Sequence, residues 1–212
     1  MFRCIKHQIF KFLKWSEKYT GTDMVYLAKG GFWMSSSQFI FSAIGFIVAL
    51  ALANLLARET YGTYQYVLSL AGVFAITALP GLNTAFIRAT ARGSQGVFIK
   101  IFKMRFTWGL LGSITTLAVS VFYYFQGNTE LAIGFFIVAI ILPTKEAFTL
   151  YKSYWQGIKR FDVIAKTKIA TQLAVALSLI AVIFFTDNSY LILLIYFGVE
   201  ALISGIFFFV TK

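Results

Sequence analysis

Four ionisable side chains stand where charge is costly or out of place: Arg58, Lys145, Glu146 and Glu200. A charge at the centre of a bilayer costs roughly 2.5–3.5 kcal/mol on insertion scales, so it faces a bundle interior or a wet cavity. Glu200 lies near the middle of the apolar run Ser189–Val210. A helix would carry it about 20 Å from Asp187. A carboxyl there serves as a proton- or cation-coupling site, or as a hydrogen-bonded structural group. Lys145 and Glu146 follow Pro143 in the inner third of another apolar run. Neighbours on a helix point about 100° apart, so these two cannot directly face one partner. Lys145 suits an anionic group in a central cavity. The alternative is that both side chains snorkel to the interface beside a proline kink. Arg58 ends the first run on the side where other basic residues are lacking. It is either an anion contact at an outer mouth or a surface partner of Glu59. Arg88 and Asn54 complete the cavity candidates, and Arg88 also fits a purely topological role.

The elements that must position these groups are six long apolar segments: Phe32–Leu56, Tyr64–Ile87, Phe106–Gln126, Leu131–Tyr151, Ile169–Phe185 and Ser189–Val210. About 20 mostly apolar residues cross the hydrocarbon core as a helix. The fifth is short and borrows Lys166–Thr171 as a snorkelling end. Composition agrees, with 59% hydrophobic and 13% charged residues and a mean hydropathy of +0.78. Soluble domains carry about 25% charged residues. The apolar runs do not alternate with polar residues, which favours helices over a barrel. The fold class is therefore an all-α membrane protein, a six-helix bundle over residues 24–212, preceded by a basic amphipathic segment at 1–23.

The net charge of +11 does not signal nucleic acid. Seventeen of the 19 basic residues precede the first run, follow the last, or lie between runs two and three or four and five. The positive-inside rule makes that face cytoplasmic, with both termini there and anionic inner-leaflet lipids as partners. In residues 2–18, Phe2, Ile5, Ile9 and Leu13 recur at helical spacing among lysines, as in an interfacial helix. Asp23 caps the helix that follows. Cys4 is the only cysteine and His7 the only histidine, so neither a disulfide nor a His/Cys metal site is expected. No glycine-rich phosphate loop is present, and no cofactor is expected. Span one carries the small residues Gly45, Ala49, Ala53 and Ala57 at four-residue spacing, beside Ser35, Gln38, Ser42 and Asn54. That combination makes it the most interior-looking helix, approached closely by a neighbour.

Three stretches, in order, resemble a known family: YLAKGG at 26–31, ALANLLARETYGTYQYVLSLAGVF at 51–74 followed by LPGLNTAFIRATARG at 79–93, and YWQGIKRFDVIAKTKIATQL at 154–173. They resemble the polysaccharide and O-antigen flippases of the multidrug/oligosaccharidyl-lipid/polysaccharide exporter superfamily. The matching residues are Ala57, Arg58, Glu59, Tyr61, Gly62, Gly81, Leu82, Ile87, Arg88, Gly157, Arg160 and Phe161. Arg58 sits two residues later than the family's usual order. The resemblance covers about residues 24–212, and members of that family have twelve to fourteen spans in two lobes. It implies the N-terminal lobe of a flippase for polyprenyl-pyrophosphate-linked oligosaccharide, without covalent chemistry. It also implies a second lobe or a homodimer, with a polysaccharide polymerase or glycosyltransferases as further partners. Two other readings are a cation-coupled multidrug exporter and a non-transporting scaffold for polysaccharide assembly. The first would need more acidic residues than Glu200 in the lobe, and the basic candidates favour an anionic substrate.

Overall fold

A computed structural model describes residues 24–93 and 96–211. The amphipathic stretch at 2–18, Asp23, Cys4 and His7 lie outside the described residues. The described chain contains helices and no strand. The helices are α1 (Met24–Leu55), α2 (Arg58–Phe74), α3 (Gly81–Ala91), α4 (Val97–Phe125), α5 (Thr129–Phe148), α6 (Leu150–Gly157), α7 (Phe161–Ile183) and α8 (Ser189–Thr211). A short 3₁₀ turn, Ala75–Ala78, follows α2. Among the described residues, five helices are long and apolar enough to cross a membrane: α1, α4, α5 running on into α6, α7 and α8. The pair α2 and α3 adds a sixth if it counts as one bent span. The result is an α-helical membrane bundle, and its outer surface is apolar: Phe39 is 77% exposed and Phe185 88%.

Several boundaries differ from the apolar runs for one reason. Hydropathy marks the stretch that suits hydrocarbon, whereas helices continue beyond it. The stretch between runs two and three holds the end of α3 and the start of α4, and the stretch between runs four and five is divided between α6 and α7. The fifth span, expected to be short, is a 23-residue helix. The gap of 57–63 between the first two apolar runs shrinks because α2 begins at Arg58.

Span two is not one straight helix. It bends by 50° between the 3₁₀ turn and α3. Leu79 takes a left-handed backbone conformation, φ 53°, and Pro80 precedes the first residue of α3. Proline lacks the N–H that would continue the helix, and it disfavours the right-handed helical region for the residue before it.

Pro143 has the opposite outcome, and α5 runs through it. The missing N–H at Pro143 frees the carbonyl four residues earlier, that of Ala139. Ser113 Oγ, on α4, donates to this carbonyl at 2.6 Å. Ser120 Oγ repeats the contact to Ala132 O at 2.6 Å. The two helices approach closely enough because α4 presents glycine at the contact: a methyl group on Gly109 would stand 3.1 Å from Pro143 Cα. Small residues and cross-helix hydroxyls of this kind hold membrane helices together where no hydrophobic drive operates between them.

The expectation for span one is corrected. Only 11% of its apolar window is buried, against 44% for the α5–α6 span. The helix lies at the edge of the bundle, against α7, and Ser35, Gln38, Ser42 and Asn54 are exposed. Polarity did mark a surface unsuited to lipid, but the described residues do not cover it. The small-residue ridge is used where Gly45 faces Gln172 Nε2, 3.7 Å from where a Cβ would lie.

The α4–α5 contact predicts an asymmetry. Ser113→Ala should destabilise the bundle by about 1 kcal/mol, the scale of interhelical hydrogen bonds in membranes. Thr115→Ala should be neutral, because that exposed hydroxyl bonds only within its own helix. Unfolding in mixed micelles would compare the two.

Candidate functional site

Lys145 and Glu146, adjacent on α5, reach different partners. Lys145 Nζ lies 2.8 Å from Glu200 Oε2, and both side chains are mostly buried. The same ammonium stands 5.0 Å from the centroid of the Phe197 ring. Glu200 occupies the middle of the 23-residue α8. Its depth therefore comes with a counter-charge, the condition under which a carboxylate tolerates low dielectric.

Glu146 turns instead to α4, where Arg105 Nη2 lies 3.1 Å from Glu146 Oε2. Arg105 Nη1 donates to Asn83 Oδ1 of α3 at 2.7 Å and to Thr149 Oγ1 at 3.3 Å. Arg105 is only 2% exposed. By sequence alone it falls among the basic residues between runs two and three, which read as topological charges. It is instead a buried tie between the bent second span, α4 and the end of α5. No hydropathy signal distinguishes it, because it sits at the polar fringe of its apolar run.

Around the Lys145–Glu200 pair the bundle is incompletely filled. Tyr196, one turn from Glu200, borders three cavities. One of about 250 Å³ contains Lys145, Glu146 and Phe197. A second, about 240 Å³, is bordered by Gly45, Leu52, Tyr64, Gln65 and Gln172. A third, about 170 Å³, joins Glu200 to Lys152, Lys168, Thr171 and Gln172. Lys168 Nζ also donates to Gln38 Oε1 of α1 and lies 4.7 Å from the Phe41 ring centroid.

Lys152 and Lys168 are thus the site residues that sequence reasoning missed. Both were counted as inner-loop charges. A signal was present for Lys152, which follows Lys145 by seven residues. That is about two helical turns, so both lie on one face of a continuous helix. Lys168, Thr171 and Gln172 likewise share a helical face. The loop boundary drawn from hydropathy hid both patterns.

The structure brings Lys145 and Glu200 together and leaves the other three candidates apart. Arg58, Arg88 and Asn54 are exposed and border none of these cavities. Asn54 Nδ2 donates to Leu50 O at 2.7 Å, a bond within its own helix. Among the described residues Arg58 forms no ion pair with Glu59. It opens α2, where the helix dipole does not favour a cation.

The three sequence stretches singled out for their family resemblance meet at the basic end of the bundle. Gly30 packs under Phe161, with room for no added methyl group. Tyr26 and Phe161 have ring centroids 5.7 Å apart. A methyl on Gly157 would stand 2.6 Å from Thr90 Cβ and 3.0 Å from Ile87 O. Glycines 30 and 157 are therefore fixed by close helix approach. A family described as polysaccharide biosynthesis protein matches residues 27–211, a range that takes in both glycine contacts. The chain belongs to that polysaccharide biosynthesis protein family. No curated protein and no solved structure matches it. For this polysaccharide biosynthesis protein, family membership makes a role in building or moving polysaccharide the frame for the cavity chemistry.

The Arg105 tie gives a stability prediction. Arg105→Ala should cost about 3–5 kcal/mol, because it strands the partly buried Glu146 carboxylate. Adding Glu146→Gln should recover part of that loss. A double-mutant cycle on unfolding in detergent would measure the coupling, and additive effects would show that the two charges act independently.

Proposed function

We propose that this lobe carries a polyprenyl-pyrophosphate-linked oligosaccharide across the cytoplasmic membrane, with the pyrophosphate received among Lys145, Lys152 and Lys168. The observation that carries the reading is an imbalance of charge. Three lysines border the two cavities that share Tyr196, Glu146 is engaged by Arg105, and among the described residues Glu200 alone remains to face them. An ammonium within hydrocarbon needs an anion, and a diphosphate supplies two closely spaced negative groups. No bond is made or broken, so the protein acts as a transporter and not as an enzyme.

Glu200 then has a defined part. While ionised it occupies Lys145. Protonation of Glu200 releases Lys145 to the diphosphate, and departure of the substrate lets the ion pair close again. Proton binding and anion binding are thereby linked through one ammonium. This joins the two roles read separately from the sequence, an anion contact at Lys145 and a coupling site at Glu200.

The polar, exposed face of α1 supports a two-lobed arrangement. Ser35, Gln38 and Ser42 suit a wet cavity or a protein neighbour better than acyl chains. A second lobe, or a second copy of this chain, would face them, and alternating access would follow from rocking of one lobe against the other. The basic end is cytoplasmic in this reading.

The test is restoration of surface glycan in a strain lacking its own lipid-linked oligosaccharide flippase, with and without a second lobe supplied. The native chain should restore glycan. Lys145→Gln and Lys152→Gln should each lower it by about 10- to 100-fold, the value of a charge-assisted contact, at unchanged membrane abundance. Lys145→Arg should retain part of the activity. Equal activity in all variants would remove the lysines from the transport path. Failure of the native chain at normal abundance in both arrangements would favour a scaffold role.

A further inference from the structure

A separate cavity lies at the basic end, between the start of α1 and the start of α7, and shares no bordering residue with the Lys145–Glu200 cavities. Its volume is about 380 Å³. Lys29, Lys159, Arg160 and Lys166 border it, opposed by Asp162 alone. Tyr26, Trp33 and Phe161 form its aromatic walls.

The positive groups are held there by the fold. α6 ends in a Schellman motif: Arg160 N donates to Trp155 O at 2.9 Å and Lys159 N to Gln156 O at 3.0 Å. That motif puts the residue after the cap in the left-handed region, usually as glycine. Here the residue is Lys159, with φ 64°. A side chain at this costly position directs an ammonium to within 5.0 Å of the Tyr26 ring centroid. The Arg160 guanidinium is fixed by a two-pronged contact to Asp162, at 3.1 and 3.2 Å, and lies 5.8 Å from the Trp155 ring. Lys29 and Lys166 are exposed and have no carboxylate partner among the described residues.

The setting specifies the ligand further. The cavity lies at the ends of two spanning helices, where tyrosine and tryptophan occupy the headgroup level of a membrane. Beside Trp33, Phe32 is 68% exposed on the apolar surface of α1. A ligand in this place would have an anionic head against lysines and an apolar tail along α1. We propose that the cavity binds the phosphodiester headgroup of an anionic membrane phospholipid. Bound there, the lipid ties the start of α1, the least buried span, to the α6–α7 corner.

Thermal unfolding of the purified chain in a neutral detergent tests this, with short-chain phosphatidylglycerol, short-chain phosphatidylcholine and inorganic phosphate as probes. Phosphatidylglycerol should raise the Tm saturably, and the other two should not at equal concentration. The double variant Lys29→Gln/Lys166→Gln should weaken the phosphatidylglycerol effect by about tenfold or more, as expected for lost charge-assisted contacts. Lys159→Gly should raise the Tm of the lipid-free protein by relieving the left-handed backbone, yet weaken the lipid effect. That combination separates lost binding from lost fold. Lys145→Gln should leave the lipid effect intact, so this site stands or falls independently of the transport reading. Equal shifts with phosphatidylcholine or free phosphate, or an undiminished shift in the double variant, would overturn the assignment.

Discussion

Everything inside this bundle depends on the cost of an uncompensated charge in hydrocarbon. Two ion pairs meet it, and they meet it differently. Arg105 and Glu146 are joined by further bonds to Asn83 and Thr149, so the pair ties α3, α4 and the end of α5 together. Lys145 and Glu200 are joined by one contact beside unfilled space, with Lys152 and Lys168 bordering the next cavity. The first arrangement has few alternatives and holds helices together. The second has an alternative whenever an anion or a proton arrives, because either can replace one partner of the pair. In the proposed reading the same kind of ion pair is structural in one setting and exchangeable in the other, and the surrounding contacts decide which.

The backbone serves this arrangement through its two prolines. At Pro80 the helix yields, and the bend ends span two in α3, from which Asn83 meets Arg105. At Pro143 the helix continues because Ser113 takes up the freed carbonyl. That continuity carries Lys145 and Lys152 on one helical face toward the cavities beside Tyr196. Loss of the Ser113 contact would therefore act on the site through the helix that bears it.

Much of the fold was legible in the sequence, because apolar runs of spanning length have few soluble interpretations. The membrane bundle and the opposed directions of Lys145 and Glu146 follow from length and helical geometry alone. Pro80's effect was also encoded, although the run Tyr64–Ile87 masked it by carrying no charged residue on either side of the proline. The site was legible only in part. Glu200 and Lys145 stood out as charges out of place, but their contact joins helices more than fifty residues apart, and no local pattern reports that. Lys152, Lys168 and Arg105 were hidden for a different reason. They lie where positive-inside charge is already expected, so a cavity lysine and an orientation signal look alike until the helices are packed. Arg58 stood out equally well, yet it is exposed and borders none of these cavities.

The central claim is that a diphosphate and the Glu200 carboxylate compete for the same ammonium. Calorimetric titration of inorganic pyrophosphate into the purified protein, repeated in buffers of different ionisation enthalpy, measures the protons taken up on binding. The native protein should take up about one proton more per pyrophosphate than Glu200→Gln, because only the native carboxylate must be protonated to release Lys145. Equal proton uptake in the two proteins would contradict the exchange and leave the Lys145–Glu200 pair as a fixed structural contact.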